Sequence, residues 1–425
     1  MVDLHTFPLM FRIRQKFNVT EVHDVASEVT AQLDRLSLAD KIKANQTVAI
    51  TAGSRGIHKI DVILKAVVNY LKKLGAQPFI VPAMGSHGGG TVDGQLKILS
   101  SFGVTEAAMG CPIKASMDTI VVCESTEGIP VHFDQMASQA DHVFVCNRIK
   151  PHTDFNGQIQ SGLMKMLLIG LGKHHGARIY HRAIQDYSFD QILRSVAQEV
   201  IQRCNILAGL AIVENSLDTT AKLEAVLPDQ FEAREKELLQ LATNSMARLP
   251  FDFAHVLLID EIGKNISGTG MDTNVVGRKF DDHKATGAER PIIKRIIVRG
   301  LTPETDGNAS GIGMSEFALS RAIKQMDVEK TATNCITSNH VTAAMIPLHY
   351  ADDATAMARA LETIGLTQPQ DAKIAWIRNT LQMETMECSQ AYWDEFQQRT
   401  DLEILCEPRP FTFDAQQNLT QFVCE

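Results

Sequence analysis

Apolar positions in the first half of the chain alternate between short β-branched runs and stretches with helical spacing. Thr47 to Thr51 reads as a strand, and Val62, Ile63, Val67, Leu71 and Leu74 then recur with a period of about 3.6 residues from Asp61 to Leu74, with Gly75 as the stop. Gln77 to Pro82 reads as the next strand and Thr91 to Phe102 as the next helix, closed by Gly103. Further strands are expected at Thr119 to Cys123, His142 to Cys146 and Leu207 to Val213. Strands separated by helices of this length predict right-handed βαβ units and a mostly parallel sheet. The charged segment Glu232 to Glu237 reads as a solvated helix, and Leu249-Pro250 punctuates the chain. Beyond it come strands at His255 to Ile259, Ile292 to Val298 and Ile374 to Ile377, with helices at Ser315 to Gln325 and Asp353 to Ile364. The fold class is therefore α/β, with a Rossmann-like N-terminal domain over residues 1–250 and a second, smaller α/β domain over 251–425. Periodicity leaves open whether the last 40 or so residues pack back on the first domain.

Composition narrows the function classes. The net charge of −9 and the lack of a long basic stretch make nucleic acid an unlikely partner by chemistry. No apolar run approaches the roughly 20 residues needed to span a bilayer. The N-terminal residues lack the basic and then apolar order of a signal peptide, so a cytoplasmic protein is the expectation. The eight cysteines are scattered, without zinc-ribbon spacing, which fits free thiols in a reducing compartment.

Three segments follow expected strands directly, where open parallel sheets bind ligands. They are Ala52-Gly53-Ser54-Arg55-Gly56, Gly85-Ser86-His87-Gly88-Gly89-Gly90 and Asn147-Arg148-Ile149-Lys150-Pro151-His152. If those strands are adjacent and parallel, Arg55, His87 and His152 share one crevice. Arg55 between glycines suits a bidentate grip on a carboxylate or phosphate, against the bland reading of a surface arginine. His87 is flanked by glycines that let a ligand approach, and His152 is either a loop hydrogen-bond donor or an acid/base group. In Ser161-Gly162-Leu163-Met164-Lys165 a single lysine enters an apolar run. It is either a snorkelling surface lysine or a nucleophile and attachment point. The Gly172-Lys173-His174-His175-Gly176 segment suggests an anion or metal contact. No histidine pair there has helical zinc-site spacing.

Negative findings matter equally. No Gly-x-Gly-x-x-Gly follows the first strand, and Gly268-Thr269-Gly270 lacks the third glycine. Leu257 to Glu261 is like the acidic strand end of a P-loop ATPase, but the phosphate loop is missing, and no Gly-x-Ser-x-Gly elbow occurs.

With these residues assembled, the chain resembles the lactate racemase family of nickel-pincer-dependent 2-hydroxyacid racemases and epimerases. The matching pieces are Ser54-Arg55, Gly85-Ser86-His87, Pro151 to Phe155, Ser161-Gly162-x-x-Lys165 and His181, in order and with compatible gaps. Gly311 to Gly313 and Ile377 to Leu381 extend the likeness. The resemblance implies a nickel-pincer nucleotide, nickel pyridinium-3,5-bisthiocarboxylic acid mononucleotide, covalently attached at Lys165 within a cofactor site that includes Ser161 and Gly162. It further implies His181 as the protein ligand to nickel, His87 and His152 as paired acid/base residues and Arg55 as the holder of the substrate carboxylate. The implied partners are a small 2-hydroxyacid substrate and the proteins that synthesise the cofactor, with neither nucleic acid nor membrane.

The chemistry behind such roles is general. The carbon-bound hydrogen of a 2-hydroxy carboxylate is a poor acid, because its removal places a second charge beside the first. Loss of a hydride to an electrophilic cofactor, with a base taking the hydroxyl proton, gives a planar 2-oxo acid. Hydride return to the other face inverts the centre, and two histidines serve both hands of substrate. Lactate-active relatives carry an acidic residue where this chain has Ala52, and the stretch between His152 and Lys165 is longer here. They also place a Gln and a Lys where this chain shows Gly277 and Phe280, leaving Lys264 or Arg278 as substitutes. The expected function is thus racemisation or epimerisation of a 2-hydroxy acid other than lactate, in a crevice between the domains. The alternatives are a net 2-hydroxyacid oxidoreductase with the same cofactor, and a non-catalytic anion-binding protein on the same fold.

Overall fold

The computed structural model describes residues 7–278 and 289–420. Contacts divide the chain into two units. One comprises Val19–His152 and Asn156–Met246, and the other comprises the residues up to Asn18, Thr153–Phe155 and those from Ala247 onward. The fold is α/β in both.

The first strand of the chain, β1 (Met10–Gln15), belongs to the second unit. Within the first unit β2 (Thr47–Ala52), β3 (Gln77–Pro82), β4 (Thr119–Glu124), β5 (Pro130–Asp134), β6 (His142–Arg148), β7 (Ile206–Glu214) and β8 (Thr220–Val226) follow in turn. Five of them form one sheet in the order β3-β2-β6-β7-β8, parallel except for the antiparallel edge strand β8. β2 is buried at every position except Thr47, the continuous burial expected of a strand covered on both faces. Helix Ile60–Lys73 covers the sheet with Ile60, Ile63, Leu64, Val67, Val68 and Leu71, spaced at three and four residues along one stripe. Each such side chain contributes roughly 1.5–3 kcal/mol on full burial.

β4 departs from expectation. It pairs only with β5, as a two-stranded antiparallel hairpin outside the parallel sheet, and Ile120 and Val121 stay exposed. The short turn between β4 and β5 lacks the residues for a crossover helix, so its β-branched run cannot enter a parallel sheet.

The second unit adds β9 (Phe253–Ile259), β10 (Ile292–Val298), β11 (Phe317–Leu319), β12 (Leu348–Tyr350), β13 (Ile374–Ile377), β14 (Thr385–Ser389) and β15 (Leu402–Ile404). The eight-stranded order is β12-β11-β10-β9-β13-β14-β1-β15. Residues 10–15, placed with the N-terminal domain on sequence grounds, are thus an inner strand of this sheet, with Met10, Phe11 and Ile13 fully buried. The Arg12 guanidinium donates to Glu387 of β14 at 2.7 Å. β15 pairs with β1, so the late C-terminal residues pack into the second unit. The stretch expected as one helix from Ser315 begins instead as β11, whose buried Phe317 pairs in register with Ile297, and turns helical over Ser320–Gln325. Among the described residues no helix is long and apolar enough to cross a membrane.

Candidate active site

The site grows from the carboxyl edge of the parallel sheet in the first unit. β3, β2 and β6 are neighbours and run parallel, so the three chemistry-bearing loops emerge on the same edge. The chain steps from β2 to β3 on one side and returns through β6 on the other. The ends of β2 and β6 therefore flank the topological switch point, where α/β sheets leave a crevice for ligands. Arg55 follows β2, while His87 follows β3 and His152 follows β6, one on either side of the Arg55 loop.

The loop after β2 is fixed by its neighbours. Glu214, at the end of β7, accepts from the His58 backbone N–H at 2.7 Å and pairs with Arg148 at the end of β6. Arg148 also donates to the Gly56 carbonyl at 3.2 Å. Arg55 itself is exposed. Ser54 Oγ shares a hydrogen bond with His87 Nδ1, joining the loops after β2 and β3.

The loop after β3 is built on positive φ angles at Gly85, Gly88, Gly89 and Gly90. It lies against helix Lys173–Asp186: a Cβ at Gly85 would meet Ala177 at 3.5 Å, and one at Gly90 would meet His174 Nδ1 at 3.2 Å. His174, Ala177 and His181 stand at three- and four-residue steps, so His181 occupies the face of this helix that meets the His87 loop. His174 Nδ1 is buried and has no hydrogen-bond partner among the described residues. Lys173 behaves otherwise than expected. The segment read as an anion-contacting loop is the first turn of the helix, and the Lys173 side chain is fully buried, with Nζ 2.7 Å from Asp134 Oδ2 and donating to the Pro82 carbonyl. Its charge is spent on an internal ion pair.

The loop after β6 is stapled to the Lys165 turn. Ser161 Oγ accepts from Lys150 N–H at 2.7 Å and donates to the Lys150 carbonyl at 2.6 Å, and Gln160 accepts from His152 N–H at 3.0 Å. Asn147 donates to the Gly162 carbonyl at 2.8 Å. Lys165 closes a short turn, Leu163–Lys165, that continues as a π-helix over Met166–Gly170, with Leu171 N–H bonded to the Met166 carbonyl. Such wide turns often mark functional sites. Met164 and Met166 on either side are buried, while Lys165 is half-buried. Phe189 gathers the two predicted residues: the His152 ring stacks on it with centroids 6.4 Å apart, and Lys165 Nζ lies 6.0 Å from its centroid.

Sequence reasoning missed Glu235. It sits in the charged segment read as a solvated helix, yet it is almost fully buried. Its carboxyl accepts from the backbone N–H groups of Leu163 and Met164, the otherwise unsatisfied donors at the start of the Lys165 turn. Burial pushes its pKa up to about 8, against the lowering effect of those two bonds. Gly162 has φ +98°, and a Cβ there would lie 2.2 Å from a Glu235 oxygen, so glycine is required. Asn147 carries no role on sequence grounds. A polar residue ending an otherwise apolar strand was the available signal, whereas nothing local distinguishes Glu235 from its charged neighbours.

In the second unit Arg278 is committed internally, to Glu316 at 2.7 and 3.2 Å and to the Met314 and Ile293 carbonyls. Lys264 Nζ donates to the Gly268 carbonyl. Asp260, from the ATPase-like strand end, pairs with Arg299 and accepts from the Trp376 indole at 2.6 Å, a structural network. Phe280 lies outside the described residues. Among the described residues no group of three His, Cys, Asp or Glu side chains can hold a metal ion.

The edge of the parallel sheet thus carries Arg55, His87 and His152 on the loops after β2, β3 and β6. Residues 7–190 match the lactate racemase N-terminal domain, a segment that contains Arg55, His87, His152, Lys165 and His181. No curated protein sequence matches. Among solved structures, the lactate racemase apoprotein from Thermoanaerobacterium thermosaccharolyticum aligns with a TM-score of 0.55 at 13% identity, over 88% of this chain and 98% of that one. At that identity the likeness concerns the fold. A Thermotoga maritima protein aligns with a TM-score of 0.48 at 12% identity, over 75% of this chain and 80% of that one.

Proposed function

We propose that the chain is a racemase or epimerase of a 2-hydroxy carboxylate other than lactate, working with a nickel-pincer nucleotide tethered at Lys165. The observation that carries this reading is the strand order β3-β2-β6, which sets His87 and His152 on either side of the Arg55 loop, all within the lactate racemase segment. Two histidines flanking an arginine suit a carboxylate substrate whose two hands each need a base.

The residues present fit the cofactor. His181, on the helix face that meets the His87 loop, would give a bound metal one protein imidazole. The Nδ1 of His174, buried beside the Gly90 turn with no hydrogen-bond partner among the described residues, is a polar atom that a bound group would satisfy. When bound, the group supplies an electrophilic centre that accepts and returns a hydride. Lys165 would hold it in place, with Ser161 and Gly162 setting the turn that presents the lysine. Arg55 would fix the substrate carboxylate. One of His87 and His152 would take the hydroxyl proton of one enantiomer, and the other would give a proton to the 2-oxo oxygen, which becomes the hydroxyl of the mirror image.

The test is to incubate the cofactor-loaded protein with single enantiomers of 2-hydroxy acids and no external acceptor. Catalytic loss of optical purity, fastest with an acid other than lactate, is expected. A single turnover to the 2-oxo acid followed by a stall would favour the oxidoreductase, and binding without turnover would favour the anion-binding protein.

A further inference from the structure

Glu235 is a buried ionisable group that the proposed chemistry does not use. Helix Phe231–Ser245 turns it inward onto the start of the Lys165 turn. That turn cannot cap itself. It is only the three residues Leu163–Lys165, and Gly162, at the position before them, has no side chain to accept from its first N–H groups. The acceptor comes from the other helix: the Leu163 N–H donates to Glu235 Oε1, and the Met164 N–H lies 3.3 Å from each carboxyl oxygen. The same carboxyl presses on Gly162, where any Cβ would collide with it. From the opposite side Asn147 donates to the Gly162 carbonyl at 2.8 Å, and the Met166 N–H bonds to that carbonyl at 3.0 Å. The backbone entering Lys165 is thus pinned at Gly162, Leu163 and Met164. In a helical turn the direction of a side chain follows from the backbone that carries it, so these bonds set where the Lys165 amine points. It points over the Phe189 ring, 6.0 Å from the centroid. A buried carboxyl is a costly cap, since a serine or asparagine on the turn itself would satisfy such donors without burying an acid. Its placement on another helix ties the lysine to the packed core, where Phe231 and Leu238 of that helix are buried.

We propose that Glu235 is a positioning residue for Lys165: by accepting from the Leu163 and Met164 N–H groups it holds the turn in the orientation that keeps the lysine amine over Phe189, where the incoming group is attached. The role acts through Lys165, and its bearing on attachment rests on the reading of Lys165 as the tether.

The experiment is ¹H–¹³C NMR of the full chain labelled with ¹³C at the lysine Cε, at neutral pH and without cofactor or substrate. Lys165→Arg identifies the Lys165 signal. Protons held over an aromatic face are shifted upfield by its ring current, so Phe189→Leu shows where the signal falls without the ring. The wild type is expected to show Lys165 upfield of the exposed lysines. Glu235→Ala and Glu235→Met, the second of which keeps the packing but not the acceptor, are expected to lose that shift. Glu235→Gln, which keeps an accepting oxygen like the neutral carboxyl that burial favours, is expected to restore it. A wild-type signal among those of the exposed lysines would overturn the proposal. So would an unchanged Lys165 signal in either variant lacking the acceptor, in a spectrum whose other lysines show a folded protein. In cells that also make the pincer nucleotide, the tethered mass per chain is expected to fall roughly 10-fold in Glu235→Met and to recover in Glu235→Gln. Equal tethering in wild type and Glu235→Met would contradict the role in attachment. A wild type without tethered mass would instead overturn the reading of Lys165 as the tether, and would leave the spectra as they are.

Discussion

On the proposed reading Arg55 binds the substrate and the two flanking histidines do the chemistry, a division that substitutions resolve. Charge-assisted hydrogen bonds are worth about 1.5–3 kcal/mol, and a lysine cannot reproduce a two-pronged grip. Arg55→Lys is expected to raise KM by roughly 10- to 100-fold with a smaller change in kcat, read from initial rates of racemisation. His87→Asn and His152→Asn are each expected to lower kcat by roughly 10²- to 10⁴-fold, the usual worth of a general acid or base. If either variant retains wild-type kcat, that histidine is not one of the pair. Arg278 gives the opposite pattern. Its donors are taken by Glu316 and two carbonyls, so Arg278→Met is expected to lower the unfolding midpoint while leaving KM unchanged. At this scale the sequence was informative about position and silent about partners. Arg55, His87 and His152 announce themselves by following strand ends. That Lys173 is an internal strut and Glu235 a buried cap depends on groups 39 and 72 residues away, the Asp134 carboxylate and the Leu163 N–H.

The Lys165 turn is the element on which the account leans, and Glu235 supports it from below. Removing this acceptor leaves two buried N–H groups unpaired, which costs about 1–3 kcal/mol. Glu235→Ala is expected to lose that much stability, and Glu235→Gln, which keeps an accepting oxygen, less. The pH dependence has a definite sign. Burial raises the carboxyl from the usual 4.5 to about 8 in the folded protein, so folding favours the neutral form. The stabilising contribution is complete below about pH 4.5 and is lost as the pH rises through about 8. Denaturant midpoints measured across that window should fall with pH in the wild type and flatten in Glu235→Gln; parallel curves would refute the buried-acid assignment. Most helices and parallel strands of the first unit were legible, because continuous apolar runs and three- and four-residue stripes are local signals. β4 misled, since a β-branched run looks the same in a hairpin as in a parallel sheet.

Across the whole chain, the order of strands in the second sheet carries the strongest stability consequence. β1 lies between β14 and β15 and buries Met10, Phe11 and Ile13, so deleting the residues up to Gln15 removes an inner strand. The truncated chain is expected to lose the cooperative unfolding of the second unit, with that sheet's amides unprotected in hydrogen exchange. Residues 10–15 alternate too briefly to reveal where they pair, because a strand's partners 370 residues or more away leave no trace in local periodicity. The reaction proposed for the molecule depends on a tethered cofactor. The direct measurement is intact mass together with nickel content, on protein purified from cells that also make the pincer nucleotide, with Lys165→Ala alongside. An added mononucleotide-sized mass and close to one nickel per chain, both lost in the variant, are the predicted result. Unmodified mass and no nickel, while a lactate racemase produced in the same cells is loaded, would contradict the account.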